Sequence, residues 1–295
     1  MKPELQTELQ RLQTQYRRLR ISVFCFLPLL ALAILCVWLD RRLALAVLAL
    51  AVAYQLFWLR RKQNRFTAEV SRANVLLTVG RRLGADTLQE KSGGMLTEQD
   101  ITAAELLPHD AGSGGCMLRQ GISGTLGGLP AAVCDATLGE TFHLVKNGKR
   151  RVHFNTGCWV RITLPADTGA DCRLLHKDAL PTPIRLDYYD ARPGLEPCEA
   201  PAGSPEGYLY YKGQGAAPGS RTLTQLRRLD QYTTGQTAVS LRGDTLTVFL
   251  RGRFVCRAVS LKDAPTEQSL TFDPLPELGY LQDLANAVRL DAGLR

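Results

Sequence analysis

The distribution of hydrophobic and polar positions divides this chain into a membrane-type part and a water-soluble part. Residues Ile21 to Leu39 include no charged side chain, and neither do residues Leu43 to Leu59. Each stretch approaches the roughly 20 apolar residues that a helix needs to cross a bilayer core. The pattern predicts two transmembrane spans, at about 21–39 and 43–59, joined by a turn at Asp40-Arg41-Arg42.

A cleaved signal peptide is the alternative interpretation of the first apolar stretch. A polar segment of 20 residues precedes it, and a second span follows almost at once. Signal peptides have a shorter charged leader and a cleavage site after one apolar region. The pattern therefore favours an uncleaved two-pass anchor.

Heptad-like spacing continues on both sides of the predicted spans. Leu5, Leu9, Leu12, Tyr16 and Leu19 are spaced 4, 3, 4 and 3, and Phe66, Val70, Ala73 and Leu77 are spaced 4, 3 and 4. Such spacing is typical of helices that pack along an apolar seam. We expect the anchor to be a helical hairpin over residues 1–82, extended into the cytosol as a stalk. Packing of each seam on the soluble domain is the alternative.

Residues 83–295 show the pattern of an α+β domain, mainly antiparallel β with a few helices, including a C-terminal one. Thr97 and Asp100 form a potential capping box for a short helix, and Asn147-Gly148 is a strong hairpin signal. The Pro- and Gly-rich segment 191–206 reads as a long loop. Helices are predicted at about 221–233 and 276–291. Strands are predicted at 116–125, 129–137, 141–146, 150–163, 172–177, 184–189, 207–212, 236–241 and 245–257.

The net charge of +8 is concentrated beside the predicted membrane spans. Residues 1–65 contain 11 basic and 3 acidic residues, whereas basic and acidic residues balance over 66–295. The soluble domain therefore lacks the overall positive charge that favours nucleic acid as a partner. Because cytoplasmic flanks of membrane helices collect Lys and Arg, both termini are predicted to be cytoplasmic, in a multi-pass protein of the cytoplasmic (inner) membrane.

Two cysteines and two histidines lie within 24 residues of each other: His153, Cys158, Cys172 and His176. A structural zinc site needs four ligands in tetrahedral array, usually in tight Cys-x2–4-Cys pairs. This group lacks that spacing, and in a strand His153 and Cys158 would point to opposite faces. We therefore expect no metal, no cofactor and no assigned catalytic residue.

The densest positive cluster outside the membrane flanks is at the predicted 141–163 hairpin: Lys146, Lys149, Arg150 and Arg151. Held near a bilayer, each basic residue would gain about 1 kcal/mol from anionic headgroups. The sequence therefore predicts an anionic-lipid contact there. A hairpin tip that its charges merely keep soluble is the alternative.

Three stretches carry a resemblance to a known family: the Gly-rich pair of strands around 121–137, the strand His153–Leu164, and the sequence Asp244–Leu290 with Phe272-Asp273-Pro274 before a terminal helix. Together with the two-span hairpin, they resemble a family of uncharacterised bacterial two-pass membrane proteins, domain of unknown function 3137. The resemblance implies an architecture and a membrane location, and it implies no reaction.

Three functions are compatible with these patterns. The first is a membrane-anchored cytosolic interaction or scaffold module, whose partners are the bilayer and another protein. The second is a membrane-tethered enzyme acting on a lipid or small molecule, although no convergent set of acid, base and nucleophile can be named. The third is a domain that senses anionic lipid through the basic hairpin.

Overall fold

The computed structural model describes residues 3–24, 26–85, 88–91, 95–110, 115–143, 150–177, 196–233, 237–256 and 263–294. The chain divides into two compact units. The helical unit comprises Met1–Thr78 and Arg257–Asp273, and the sheet unit comprises Val79–Cys256 and Pro274–Arg295. The sequence assigned residues 257–273 to the second domain, whereas here they belong to the first unit.

The described part of the chain contains helices and strands that we number in chain order. The helices are α1 (Pro3–Phe24), α2 (Phe26–Leu39), α3 (Arg41–Leu83), α4 (Glu98–Ala104), α5 (Ser220–Thr233), α6 (Glu267–Thr271) and α7 (Leu278–Asp291). The strands are β1 (Gln89–Lys91), β2 (Cys116–Leu126), β3 (Leu129–His143), β4 (Arg150–Thr163), β5 (Asp171–His176), β6 (Glu196–Cys198), β7 (Tyr208–Lys212), β8 (Thr237–Arg242) and β9 (Thr245–Arg251).

Helix α3 is the one described helix that is long and apolar enough to cross a membrane. It has 43 residues, and its most apolar window has a mean hydropathy of 1.8 with 17% of that window buried. Two π-helical segments, Tyr54–Leu59 and Leu76–Gly80, interrupt its α-helical hydrogen bonding. The first predicted span is helical up to Phe24 and again from Phe26, and position 25 lies outside the described residues.

Residues from both predicted seams meet in one apolar cluster of the helical unit. Leu12 and Val70 are fully buried there, and the rings of Tyr16 and Phe66 lie 5.9 Å apart. Beside this cluster, Arg11 forms a 3.3 Å ion pair with Glu69. The cluster also includes Leu270 of α6. The apolar spacing in α1 and in α3 therefore serves packing within this unit.

Asn74 of α3 binds the end of α6, beside the apolar contact of Leu270. Its buried amide nitrogen donates to the backbone carbonyls of Ser269 (3.2 Å), Leu270 (3.1 Å) and Phe272 (2.7 Å). The last carbonyls of a helix have no partner inside the helix. Asn74 thus binds backbone groups at the end of α6, which explains why a segment near position 270 packs with the N-terminal helices.

The nine described strands of the sheet unit form one antiparallel sheet in the order β1-β2-β3-β4-β9-β8-β5-β7-β6. The predicted α+β class is confirmed. Strand β3 pairs with β4 from Ala131 opposite Ile162 to His143 opposite Arg150, as expected for a hairpin around Asn147-Gly148, although that turn lies outside the described residues. The predicted strand at 184–189 also lies outside them.

A break was expected at Gly139, between the predicted strands 129–137 and 141–146, but this residue lies inside β3, opposite Phe154 of β4. The prediction was wrong because the pairing of β3 with β4 continues through this glycine. Its N–H donates to the carbonyl of Gly115 at 2.6 Å, and an added Cβ would lie 2.9 Å from the ring of Phe154. A glycine within a strand often marks such an approach. The two strands predicted at 129–137 and 141–146 are therefore one.

Both faces of the sheet are covered, which explains why its central strands are almost continuously buried. One face carries Cys134, Trp159, Phe249 and Ala238 in adjacent strands, and α4 adds Ile101 to the same core. On the opposite face, the hydroxyl of Tyr208 in β7 donates to Asp230 of α5 at 3.1 Å. Helix α4 begins with the predicted Thr97–Asp100 capping box.

Candidate interaction groove

Helices α5 and α7 pack side by side in opposite directions. At one end, the backbone N–H of Thr222 and its hydroxyl both donate to the carboxylate of Asp291 at 2.8 Å. At the other end, the rings of Tyr232 and Tyr280 stack with their centroids 4.9 Å apart. Each helix buries a leucine-rich face. The two end contacts fix the register of the pair and leave a surface groove between them.

This groove has a volume of about 430 Å³ and polar walls. Helix α5 contributes two exposed arginines, Arg221 and Arg228, which are seven residues apart and therefore lie on one side of the helix. Neither arginine forms an ion pair with a residue that the structure describes. Both arginines are available to an anionic partner. The lining consists of Arg221, Thr224, Gln225, Arg228, Asp283, Asn286, Ala287 and Leu290.

A row of polar side chains crosses the face of the sheet that α4 covers, opposite the face that α5 covers. Arg161, Thr247, Ser240 and Arg173 are neighbours in strands β4, β9, β8 and β5. The Arg173 side chain is fully buried and pairs with Glu105 at 2.9 Å and with Asp171. Arg161 pairs with Asp100 of α4 at 2.5 Å.

This row secures the end of α4. Ser240 donates its hydroxyl to the carbonyl of Ala104 at 2.8 Å, and Arg242 donates to the carbonyl of Ala103 at 2.9 Å. These are carbonyls that the helix leaves without an internal partner. Glu105 ends the helix with a left-handed backbone conformation, at φ 49°. The buried arginine and its carboxylates therefore position a helix, and the arrangement offers no group to an external substrate.

A second buried polar group lies between β3, β4 and the start of α7. Asp135 is paired with Cys158 across the strands and accepts hydrogen bonds from the backbone N–H of Val255 (2.6 Å) and of Cys256 (3.4 Å). Burial raises the pKa of Asp135 to about 6, although those amides oppose the shift. Glu277 is fully buried and pairs with Arg253 at 2.6 Å.

Burial also controls the chemistry of the nearby cysteines. It raises the pKa of Cys116 to about 11 and that of Cys172 to about 12, and it raises the pKa of Cys134 and Cys158 well above that of a free thiol. The thiolate is the nucleophilic and metal-binding form of cysteine. These four side chains are therefore thiols at neutral pH and behave as small core residues.

The two cysteines considered for a zinc site do not come together. Cys158 lies in β4 and Cys172 in β5, and strands β9 and β8 separate them. Strands are spaced about 4.8 Å apart, so the separation is about 14 Å or more, whereas a Zn–S bond is about 2.3 Å. His153 lies in β4, three residues after Arg150, and its side chain lies outside the described part of the chain. His176 instead stacks edge-on against Tyr208 at 5.4 Å.

The predicted lipid-contact residues fall mainly outside the described part of the chain. Lys146 and Lys149 are not described, and Arg150 and Arg151 are described only as the backbone that begins β4. The groove residues Arg221 and Arg228 were not singled out from the sequence, although their spacing on an amphipathic helix was a usable signal. Arg173 was missed too. A charged residue in the apolar run Cys172–Leu175 could have indicated a buried ion pair.

Comparison with known proteins leaves the family open. No protein-family model matches this chain, and no curated protein matches it. Among solved structures, the crystal structure of the mycobacterial trehalose monomycolate transport factor A, TtfA, is 10% identical with a TM-score of 0.34. That comparison covers 74% of this chain and 95% of the other. A likeness of this size supports no conclusion about the function of this chain.

Proposed function

We propose that this chain is a two-pass membrane protein whose sheet unit faces the cytoplasm and binds another protein without catalysing a reaction. The observation that carries the proposal is the exposure of large apolar side chains on α2 and α3. Trp38 is 89% exposed, Leu45 67% and Phe57 77%. Soluble proteins rarely expose so much contiguous apolar surface. A bilayer would cover both helices as a transmembrane hairpin.

Charged residues support the proposed orientation. Arg17, Arg18 and Arg20 precede the first span, and Arg60 and Arg61 follow the second, all of them exposed. The ammonium group of Lys62 lies 3.5 Å above the ring of Trp58. Tryptophan and basic side chains concentrate where a cytoplasmic flank meets the membrane. This end of the hairpin would therefore face the cytoplasm, as would the sheet unit.

The groove between α5 and α7 supports the binding role. Two exposed arginines face one acidic side chain, Asp283, across its walls, so the groove favours an anionic segment of a partner. Arginine binds carboxylates in a planar, two-pronged geometry, which gives orientation as well as attraction. The expected partner is therefore an acidic stretch of another membrane or cytoplasmic protein.

Topology is tested by fusing a reporter after Arg295. A reporter that is active only in the cytoplasm should be active in this fusion, and one that is active only outside should be silent. The physical reason is the excess of arginine on the flanks that join the spans to the two termini. Activity of the external reporter would overturn the proposed orientation.

Partner binding is tested by in-membrane crosslinking of the full-length chain. Replacing both Arg221 and Arg228 by Glu should abolish the crosslinked partner, because the groove would then repel an acidic segment. Arg227→Glu is the matched control: this arginine lies on the same helix outside the groove and bonds the carbonyl of Gly203 at 2.8 Å. Equal crosslinking by all variants would refute the groove as the binding surface.

A further inference from the structure

A second groove, between α2 and α3 of the helical unit, has a different chemistry. Its volume is about 450 Å³, within the range of sites for small molecules. It lies beside the turn at Asp40, at the opposite end of the spans from the flanking arginine clusters. The lining consists of Leu30, Ala33, Ile34, Val37, Arg41, Ala44, Leu45 and Leu48.

Small residues create this groove. Ala33 of α2 and Ala44 of α3 are buried at its floor, at 6% and 7% exposure. Its walls are aliphatic side chains that remain open to the surroundings, including Ile34 at 59% and Val37 at 57%. With the exception of one residue, the lining is aliphatic. The shape and apolar lining of the groove therefore suit a hydrocarbon chain.

The exception is Arg41, the first residue of α3, at the end of the groove next to the turn. It forms no ion pair with any residue that the structure describes. The nearby carboxylate of Asp40 instead accepts the backbone N–H of Arg42 at 2.8 Å and caps the helix. A guanidinium at the end of an apolar groove matches a ligand with an anionic head and a hydrocarbon tail.

We propose that this groove binds one phospholipid, with an acyl chain along the aliphatic walls and the phosphate on Arg41. The proposal rests on the proposed membrane location, and it places the lipid in the leaflet that faces away from the cytoplasm. A second copy of the chain fits less well. A symmetric pair uses the same surface twice and would bring the Arg41 side chains of both copies together, which is electrostatically unfavourable.

The test uses the full-length protein, purified in detergent and delipidated, titrated with phosphatidylglycerol and followed by native mass spectrometry. We expect one lipid to bind tightly per chain. Arg41→Gln should weaken that binding about tenfold, since a charged hydrogen bond to phosphate is lost. Arg42→Gln is the matched control, because Arg42 has the same charge one residue away and does not line the groove.

A second pair of variants tests the apolar part. Val37→Trp should fill the groove from its open side and reduce lipid binding. Leu35→Trp, on the exposed surface outside the lining, should leave lipid binding unchanged. Equal effects of Arg41→Gln and Arg42→Gln, or an unaffected Val37→Trp, would overturn the proposal. Conversion of a dimer to a monomer by Val37→Trp with lipid binding intact would also overturn it, in favour of a second copy.

Failure of this proposal is distinguishable from failure of the proposed function. Membrane fractionation of the unmodified protein tests the location alone. A chain that fractionates with membranes but shows no dependence on Arg41 would refute the lipid site and leave the membrane anchor standing. A chain recovered entirely outside the membrane fraction would refute both.

Discussion

At the scale of single residues, Asp135 shows how burial changes the role of a carboxylate. The side chain accepts hydrogen bonds from two backbone amides, those of Val255 and Cys256, in the segment that follows β9. Burial is the largest influence on it and raises its pKa to about 6, whereas an aspartate in an unfolded chain titrates near 3.9. The folded sheet unit therefore binds this proton more tightly than the unfolded chain does.

The consequence is a pH dependence of stability. Because the folded pKa is raised, the contribution of Asp135 is fully present below the unfolded pKa and is lost as pH rises through about 6. Between pH 5 and pH 8, the native protein should lose about 1 kcal/mol of unfolding free energy relative to Asp135→Asn. Denaturant unfolding at both pH values measures this difference. The exposed Asp283→Asn serves as control, and parallel pH profiles for all three proteins would contradict the prediction.

Two glycines in the β3–β4 pair differ in what surrounds them. A Cβ at Gly157 would overlap the backbone carbonyl of Leu250 on the neighbouring strand, whereas one at Gly139 would meet the ring of Phe154, whose side chain is 57% exposed and can move. Gly157→Ala should therefore cost about 1–3 kcal/mol, the usual cost of overpacking. Gly139→Ala should change the unfolding free energy little. Thermal unfolding compares the two variants, and equal unfolding free energies would contradict the predicted difference.

At the scale of elements, the seam between α1 and α3 is the contact that the sequence pattern described best. Leu12 and Val70 are both fully buried in the same cluster, and the Arg11–Glu69 ion pair lies next to them. Repeats of 3 and 4 residues put these side chains on one stripe of each helix. Each stripe is therefore a property of local sequence, whereas the pairing of the two stripes is a tertiary contact.

This seam predicts a specific crosslink. Cysteines placed at positions 12 and 70, in a chain whose own cysteines are replaced, should form an intramolecular disulfide readily on mild oxidation. A pair at positions 12 and 68 should not, because Ala68 is exposed on another side of α3. Mobility on non-reducing gels distinguishes the products. Equal crosslinking of both pairs would indicate that the seam is not a fixed contact.

At the scale of the whole molecule, the metal content follows from strand order. Cys158 and Cys172 are close in sequence, yet two strands intervene between theirs, and burial keeps both protonated by raising the pKa of each. Purified protein should contain well under one zinc per chain, and a chelator should leave its melting temperature unchanged. Stoichiometric zinc that is lost together with stability in Cys158→Ser would show that these residues form a site after all.

Local pattern predicted much of this protein. The apolar stretches, the seams, the capping box at Thr97, most strands and the helices α5 and α7 all depend on spacing within a few residues, which the sequence displays directly. The pattern failed at Gly139, which joins two predicted strands into one, and it did not indicate that segment 257–273 groups with the N-terminal helices. In both cases the deciding contacts come from distant residues: Gly115 and Phe154 for the first, Asn74 for the second.

By itself, the sequence determined where apolar surface accumulates and which short segments become helix or strand, because those depend on periodicity and on turn residues. Tertiary structure decided the sheet order, which separates Cys158 from Cys172, and the burial of Arg173, whose partner Glu105 is 68 residues away. It also decided the groove between α5 and α7, whose pairing no local pattern encodes, and the shape of the groove between α2 and α3. The physical reason is that strand order and pairwise helix contacts are settled by long-range packing and desolvation.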